Sequence, residues 1–433
     1  MVADSTGLVR GMHRWDLVAL AINLIIGAGI FGLPSRIFAL AGPWSVLVVG
    51  GCALLSGLVV LCFAEVASRF DRTGGPYLYA REAFGDFAGF EMGWLFWLRS
   101  TTTFGAVCNL LLTYLGVLWP AAAGPLRPWL SIAIAIGITA VVVRGVRESA
   151  TVGNVLTVAK LAPLLAFVGM GVFFVAPHRL ALGTWPGTSA FTSAVLPLVF
   201  AFAGFDALVI TSGEMRDPRR DLPFALFVSL AVVAVLYTLI QVVCVGTLPV
   251  LATSERPLAD AARLFLGPAA AGLIAIGAVI SSLGALLATV LTAPRLPFAL
   301  ADAGKLPRAL GATHPRYHTP HVAIVLTTAG MLAVTLTGSF VYAVTINAMI
   351  RLLIYVTTCL ALILLRRRPG APPAGYRAPA GNFVASAAIL LCLGILSRST
   401  TREVRDVAIA AGAGVLVYAT RWVALRRSGD VHA

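Results

Sequence analysis

The chain has 433 residues, 59% hydrophobic and 12% charged, with a mean hydropathy of +0.92. That composition belongs to a polytopic membrane protein and leaves no room for a disordered or nucleic-acid-binding class, despite a net charge of +14. Six cysteines, Cys52, Cys62, Cys108, Cys244, Cys359 and Cys392, all fall in apolar segments, act as small apolar residues and imply no disulfide framework.

The first apolar segment runs from Leu17 to about Leu40, the length of a membrane span. Its middle reads Ile25-Ile26-Gly27-Ala28-Gly29-Ile30-Phe31-Gly32-Leu33-Pro34. Each glycine costs about 1 kcal/mol relative to alanine inside a helix. Lipid tolerates freed backbone groups only beside protein or a wet cavity. The run predicts a helix broken at the midplane, either for a polar ligand or for close packing through small residues. MVADSTGLVRGMHRWD lacks the pattern of a cleavable signal peptide, so this span is expected to stay.

Further spans are expected at about 43–68, 86–118, 126–143, 152–175, 190–212, 223–247, 270–300, 320–337, 340–365, 380–397 and 405–425, about twelve in all. The sixth, VLPLVFAFAGFDALVITS from Val195 to Ser212, has Ala201, Ala203 and Gly204 at its centre and Asp206 just beyond. Two interrupted spans at corresponding places in two halves point to a transporter binding site. An acid inside a span is functional by default.

With both termini cytoplasmic, the inner segments hold 21 Lys/Arg, the outer segments 8, and three lie within spans. That asymmetry follows the positive-inside rule. Arg398, Arg402 and Arg405 fall outside and run against it. No segment between spans is long enough for a folded domain, and no P-loop is present. All six histidines lie in loops, tails or span ends. No span carries a His-Glu pair or paired aspartates, so neither a metal nor a cofactor is expected, and no enzyme activity.

Several motifs together carry a resemblance. Gly27-Ala28-Gly29-Ile30-Phe31 resembles the G-S-G-I-F of the amino acid–polyamine–organocation transporters. Thr73-Gly74-Gly75-Pro76-Tyr77-Leu78-Tyr79, then Phe84-Gly85 and Gly93-Trp94, is similar to that family's T-G-G-x-Y-x-Y loop and the opening of its third helix. Gly213-Glu214-Met215-Arg216-Asp217-Pro218-Arg219-Arg220-Asp221-Leu222-Pro223 resembles its E-x-x-N-P-x-R-x-x-P loop. Ala301-Asp302-Ala303-Gly304-Lys305-Leu306-Pro307 resembles its D-G-x-L-P loop, with an alanine inserted. The resemblance implies an all-α, leucine-transporter-like 5+5 inverted repeat with unwound helices 1 and 6 and two extra helices. The implied divisions are a tail at 1–14, a core at 15–365 with repeats at about 15–175 and 190–365, helices 11–12 at 366–425, and a tail at 426–433.

The half-helix beginning near Gly29 offers unpaired N–H groups and a positive dipole end to a carboxylate. The last carbonyls before each break, near Asn23–Ile25 and Leu198–Phe200, suit an ammonium, so a zwitterionic amino acid satisfies both. Ala28 stands where the family usually has serine, which leaves recognition to backbone groups at Gly27 and Gly29. By the resemblance, Phe200, Ala201, Phe202 and Ala203 line the pocket, and Phe200 is the aromatic gate; one of the two aromatics packs in the core instead. Thr101, Thr102 and Thr103 lie on the third helix, and at about 100° per residue one of them faces inward. Arg99, Lys160 and Arg351 lie deep in spans, with Asp206 the clearest deep acid and Glu65 and Glu91 nearer span ends. An arginine is expected either to pair with Asp206 or to bias the site against cations.

The chain has only two lysines, Lys160 and Lys305, and Lys160 lies inside the fifth span. The resemblance gives it a place. Many sodium-independent members carry a helix-five lysine beside helices 1 and 8, where sodium-coupled relatives of the fold hold a cation. Lys160 would contact carbonyls near Gly27 and also Ser281 or Ser282, either replacing sodium and switching by protonation or bracing helix one. The expected activity is sodium-independent secondary transport of amino acids across the cell membrane, linked to protons or to exchange, with neutral substrates favoured. The alternatives are a polyamine or cationic amino acid carrier, an obligate exchanger, or a sensor that binds without transporting.

Overall fold

A computed structural model describes residues 14–70, 75–144, 150–209, 218–302, 304–317 and 319–427. The N-terminal tail, the Thr73-Gly74 and Gly213–Asp217 parts of two motifs, Ala303 and the last six residues lie outside the described residues. Among the described residues every regular element is a helix. The first apolar segment forms two, α1 (Arg14–Ile25) and α2 (Gly29–Ala41). Gly42, at φ 57°, ends α2, and α3 (Ser45–Ala67) follows. Next come α4 (Gly75–Phe84), α5 (Asp86–Leu118), α6 (Arg127–Val143) and α7 (Ala150–Gly171). The second interrupted segment gives α8 (Thr188–Ala201) and the short α9 (Phe205–Leu208).

The remaining helices are α10 (Pro218–Thr247), α11 (Pro257–Leu266), α12 (Pro268–Thr292), α13 (Arg295–Asp302), α14 (His321–Thr337), α15 (Phe340–Arg367), α16 (Gly381–Leu396) and α17 (Thr401–Arg427). One glycine turns α11 into α12: Gly267 has φ 83° and precedes Pro268, which at the first helical position gives up no intrahelical hydrogen bond. Ser339 caps α15 by accepting from the Tyr342 N–H at 3.2 Å.

Six helical stretches are long and apolar enough to cross a membrane, among them Asp86–Leu118, Arg219–Thr247 and Phe340–Arg367. A seventh arises if α16 and α17, bent by 117° at their junction, count as one. The apolar helices Arg127–Val143, Lys160–Phe174 and His321–Thr337 are shorter. The described residues therefore form an all-helical polytopic membrane protein. Large apolar side chains are exposed on its outside, including Phe173, Phe383 and Leu390, as a lipid-facing surface requires.

The span expected at 270–300 is one apolar stretch, Pro268–Ala301, with a turn at Ala293-Pro294 where Pro294 interrupts the hydrogen-bond ladder between α12 and α13. One sequence expectation changes. The motif expected as a loop around Tyr77 is helical: Gly75–Phe84 forms α4, which packs on α5. Its short apolar face (Leu78, Tyr79 and Ala80 are buried) does not register as a span, so composition reads it as a connection.

α5 lies at the centre, against α12, α14 and α15, while α1 packs on α10 and α2 on α8. The two interrupted segments are thereby brought side by side.

Candidate substrate site

Between α1 and α2 the backbone leaves the helical ladder. The Ile26 N–H still reaches Ile22 O at 2.8 Å, but the Gly27 N–H turns to Ile25 O at 2.8 Å, and Phe31 N–H meets Ala28 O at 3.1 Å. The first N–H groups of α2 have no intrahelical acceptor by geometry. Between α8 and α9, Gly204 adopts φ 126°, a conformation only glycine takes readily. A Cβ on Gly204 would overlap the Leu24 carbonyl and lie 2.8 Å from Ile25 N. A Cβ on Gly29 would lie 2.9 Å from the Ala201 Cα. Each break thus presses a glycine against the other break's backbone. The Gly27 position is open by contrast, with Ile25 O 4.0 Å from the place of a Cβ.

The freed carbonyls are met by side chains. Lys160 Nζ on α7 donates to Asn23 O and, at 2.9 Å, to Ile26 O. Tyr237 Oη on α10 lies 3.2 Å from Ile25 O and 3.2 Å from Ala201 O, one carbonyl from each break. The carbonyls of Asn23 and Ile25, which sequence assigned to a substrate ammonium, are therefore already engaged by the protein, although each oxygen keeps a second lone pair.

Ser281 and Ser282 on α12 are buried, yet their hydroxyls make no hydrogen bond, to Lys160 or to any described residue. α12 nonetheless packs on α7: a Cβ on Gly277 would lie 2.8 Å from Pro163 Cγ.

Asp206 is fully buried at the start of α9. Its carboxylate accepts from Arg99 Nη1 on α5, from Arg351 Nη1 on α15 at 2.7 Å and from the Gly204 N–H at 3.1 Å. Arg99 also lies over the Phe96 ring, 3.8 Å from its centroid. Asn347 Nδ2 braces the group, its two N–H donors shared among Arg99 O at 2.8 Å and the hydroxyls of Thr102 at 3.1 Å and Thr103 at 2.7 Å. Two of the three threonines therefore meet the same neighbour, Asn347. Thr101 folds its hydroxyl back to Leu98 O at 2.7 Å. Two arginines against one aspartate leave this buried cluster with a formal charge of +1 beside the second break.

Phe200 and Phe202 are both buried in the core. Phe202 lies edge-on to Tyr237 at 5.3 Å, and Phe200 has its Cδ1 3.2 Å from the place of a Gly29 Cβ. Ala28 and Ala203 are buried in the breaks. A cavity of about 490 Å³ lies one helical turn beyond Gly29, with Gly32, Asn109, Arg127 and Phe340 among its lining. Leu110 and Phe340 close over Gly32, within 2.8 Å of where a Cβ would stand.

Glu65, expected near a span end, is fully buried in α3. It receives Arg366 through two bonds of 2.8 and 2.5 Å, Arg69 at 3.1 Å and the Ala378 N–H at 2.9 Å. Sequence missed this cluster and the role of Tyr237. The one available signal for Glu65 was its spacing of four residues from Arg69.

Paired helix breaks, a buried lysine on freed carbonyls and an apolar exterior define a membrane carrier. Residues 12–417 match the family model described as amino acid permease, and the chain belongs to that family. It is 29% identical to the methylthioribose transporter of Bacillus subtilis, over 90% of this chain and 88% of that protein. It is 28% identical to the branched-chain amino acid permease of the same organism, over 91% and 89%. Its identity to the serine/threonine exchanger of Bacillus subtilis is 28%, over 90% and 91%. The family is one of transporters, not enzymes, and the chain is a multi-pass membrane protein with a small-molecule substrate.

Proposed function

We propose that this chain is a sodium-independent secondary transporter of neutral amino acids in the cell membrane, coupled to protons or to exchange, with both termini cytoplasmic. The layout is about twelve helices in a leucine-transporter-like 5+5 repeat over 15–365, with two helices added, and Gly27 to Gly29 and Phe200 to Ala203 flank the substrate. The observation that carries this reading is the meeting of the two breaks, with Lys160 donating to Asn23 O and Ile26 O behind them. A fixed ammonium there occupies carbonyls that would otherwise attract a diffusible cation. The N–H groups opening α2 receive the substrate carboxylate, and Phe200 closes over it. The amino group takes the spare lone pairs near Leu198–Phe200, and Ser281 and Ser282 join Lys160 when the site rearranges.

The substrate's charge follows from Asp206. Its negative charge is taken up by Arg99 and Arg351 with one positive charge to spare, so the site repels polyamines and cationic amino acids. A second reading rests on the similarity to a methylthioribose transporter, which extends the panel of substrates to a neutral thioether sugar.

The test is uptake into proteoliposomes with labelled leucine, serine, arginine, spermidine and methylthioribose, with sodium exchanged for choline. Saturable uptake of a neutral amino acid without sodium is expected. Preferred uptake of spermidine or arginine, or an absolute need for sodium, overturns the proposal. Preferred methylthioribose uptake assigns the second reading.

A further inference from the structure

Away from the helix breaks, α4 and the end of α15 border an open cleft of about 620 Å³. Its charged lining is Arg81, Glu82, Arg367 and Arg368, a formal balance of +2. Arg81 reaches Glu82 only at 3.9 Å and Asp86 at 4.0 Å, and Asp86 also takes Lys305 at 3.4 Å. Arg368 uses Nη1 to hold Glu82 O at 2.7 Å, which ties α15 to α4 and fixes the cleft's width. Arg367 is exposed and makes no hydrogen bond or ion pair among the described residues.

The rest of the lining is Ala83, Gly85 and Leu364. Leu364, one turn before Arg368, is 42% exposed, and Phe84, between Ala83 and Gly85 but outside the lining, is 40% exposed. Arginines that follow directly on an apolar helix mark the level where a span leaves the hydrocarbon. Water alone would not favour this combination. Excess positive charge next to an exposed leucine suits a ligand with an anionic head and an apolar tail.

We infer that this cleft binds the phosphate headgroup of an anionic phospholipid. Arg367 and Arg368 would take the phosphodiester oxygens, and Leu364 would lie along the first methylenes. The lipid would bridge α4 and α15, which pack on each other and are tied by Arg368 and the Glu82 carbonyl. This binding does not depend on what the protein carries.

The six cysteines are buried, so a fluorophore can be directed to Ala83→Cys in the full chain. Phe84→Cys gives the same readout from the cleft's rim. The protein is placed in phosphatidylcholine vesicles, and brominated phosphatidylglycerol or brominated phosphatidylcholine is titrated as quencher. At about fivefold per arginine, the balance of +2 predicts a preference for phosphatidylglycerol of roughly 25-fold. Arg367→Gln, which removes no recorded contact, is expected to lower it about fivefold. Equal quenching by the two lipids overturns the inference. So does a preference that survives in both Arg367→Gln and Arg368→Gln. Millimolar inorganic phosphate should not abolish the preference; if it does, the cleft is a free-anion site and the lipid assignment fails.

Discussion

Tyr237 holds one proton, and its hydroxyl stands 3.2 Å from both Ile25 O and Ala201 O. A phenol donates one hydrogen bond at a time. The proton is therefore shared between the ends of two broken helices, and movement of either break away from the other decides which carbonyl keeps it. Tyr237→Phe removes this link with little change in volume. A neutral hydrogen bond contributes about 1 kcal/mol net, so substrate affinity should fall about fivefold and the melting midpoint of the purified protein should drop. Wild-type binding and melting in Tyr237→Phe would exclude a role for the bridge.

The glycines of the breaks should not behave alike. Gly204→Ala forces a side chain into a conformation at φ 126° and against the Leu24 carbonyl, so uptake should be lost. Gly29→Leu should also abolish binding, because its Cβ meets Ala201 Cα. Gly27→Ala has room and should keep both yield and uptake. Size-exclusion profiles beside uptake separate misfolding from loss of transport. An active Gly204→Ala, or an inactive but well-folded Gly27→Ala, contradicts the described packing.

At Asp206 the order of effects is the prediction. Asp206→Asn strands two buried arginines, and leaving a buried charge unpaired costs about 3–5 kcal/mol. Arg99→Gln or Arg351→Gln leaves one cation with one anion and should be better tolerated. Thermal melting of the three variants in detergent checks this, and a more stable Asp206→Asn would reverse the charge accounting.

Lys160→Met keeps the apolar stem and removes the ammonium from Asn23 O and Ile26 O. Uptake should fall to below about a tenth, as expected when buried charge-assisted hydrogen bonds are lost. The dependence of the remaining uptake on external pH should flatten. Full, pH-responsive uptake in this variant would reduce Lys160 to a bystander.

The breaks were legible because glycine in mid-span contradicts helix propensity, and no neighbour needs to be known to see the conflict. Lys160 was legible for a similar reason, since a charge in lipid advertises itself. Asp206 could be seen, but its two partners come from α5 and α15, 107 and 145 residues away, and sequence offered pairing only as one alternative. Tyr237 gave no signal: a tyrosine in an apolar helix is ordinary, and its meaning depends on a fold that sets Ile25 212 residues away beside it. α4 was hidden because a ten-residue helix, however well buried at Leu78, Tyr79 and Ala80, lacks the length that identifies a span.

Lys160 is a cation the chain cannot release. If it keeps its proton throughout the cycle, carrying a zwitterion across the bilayer moves no net charge, and membrane voltage has no leverage on accumulation. If the proton leaves on one side and returns on the other, each cycle carries one elementary charge. A potential of 100 mV then supplies about 2.3 kcal/mol, enough for roughly 50-fold accumulation. Under the proposed coupling, the current measured per molecule carried separates a lysine that keeps its proton from one that passes it on.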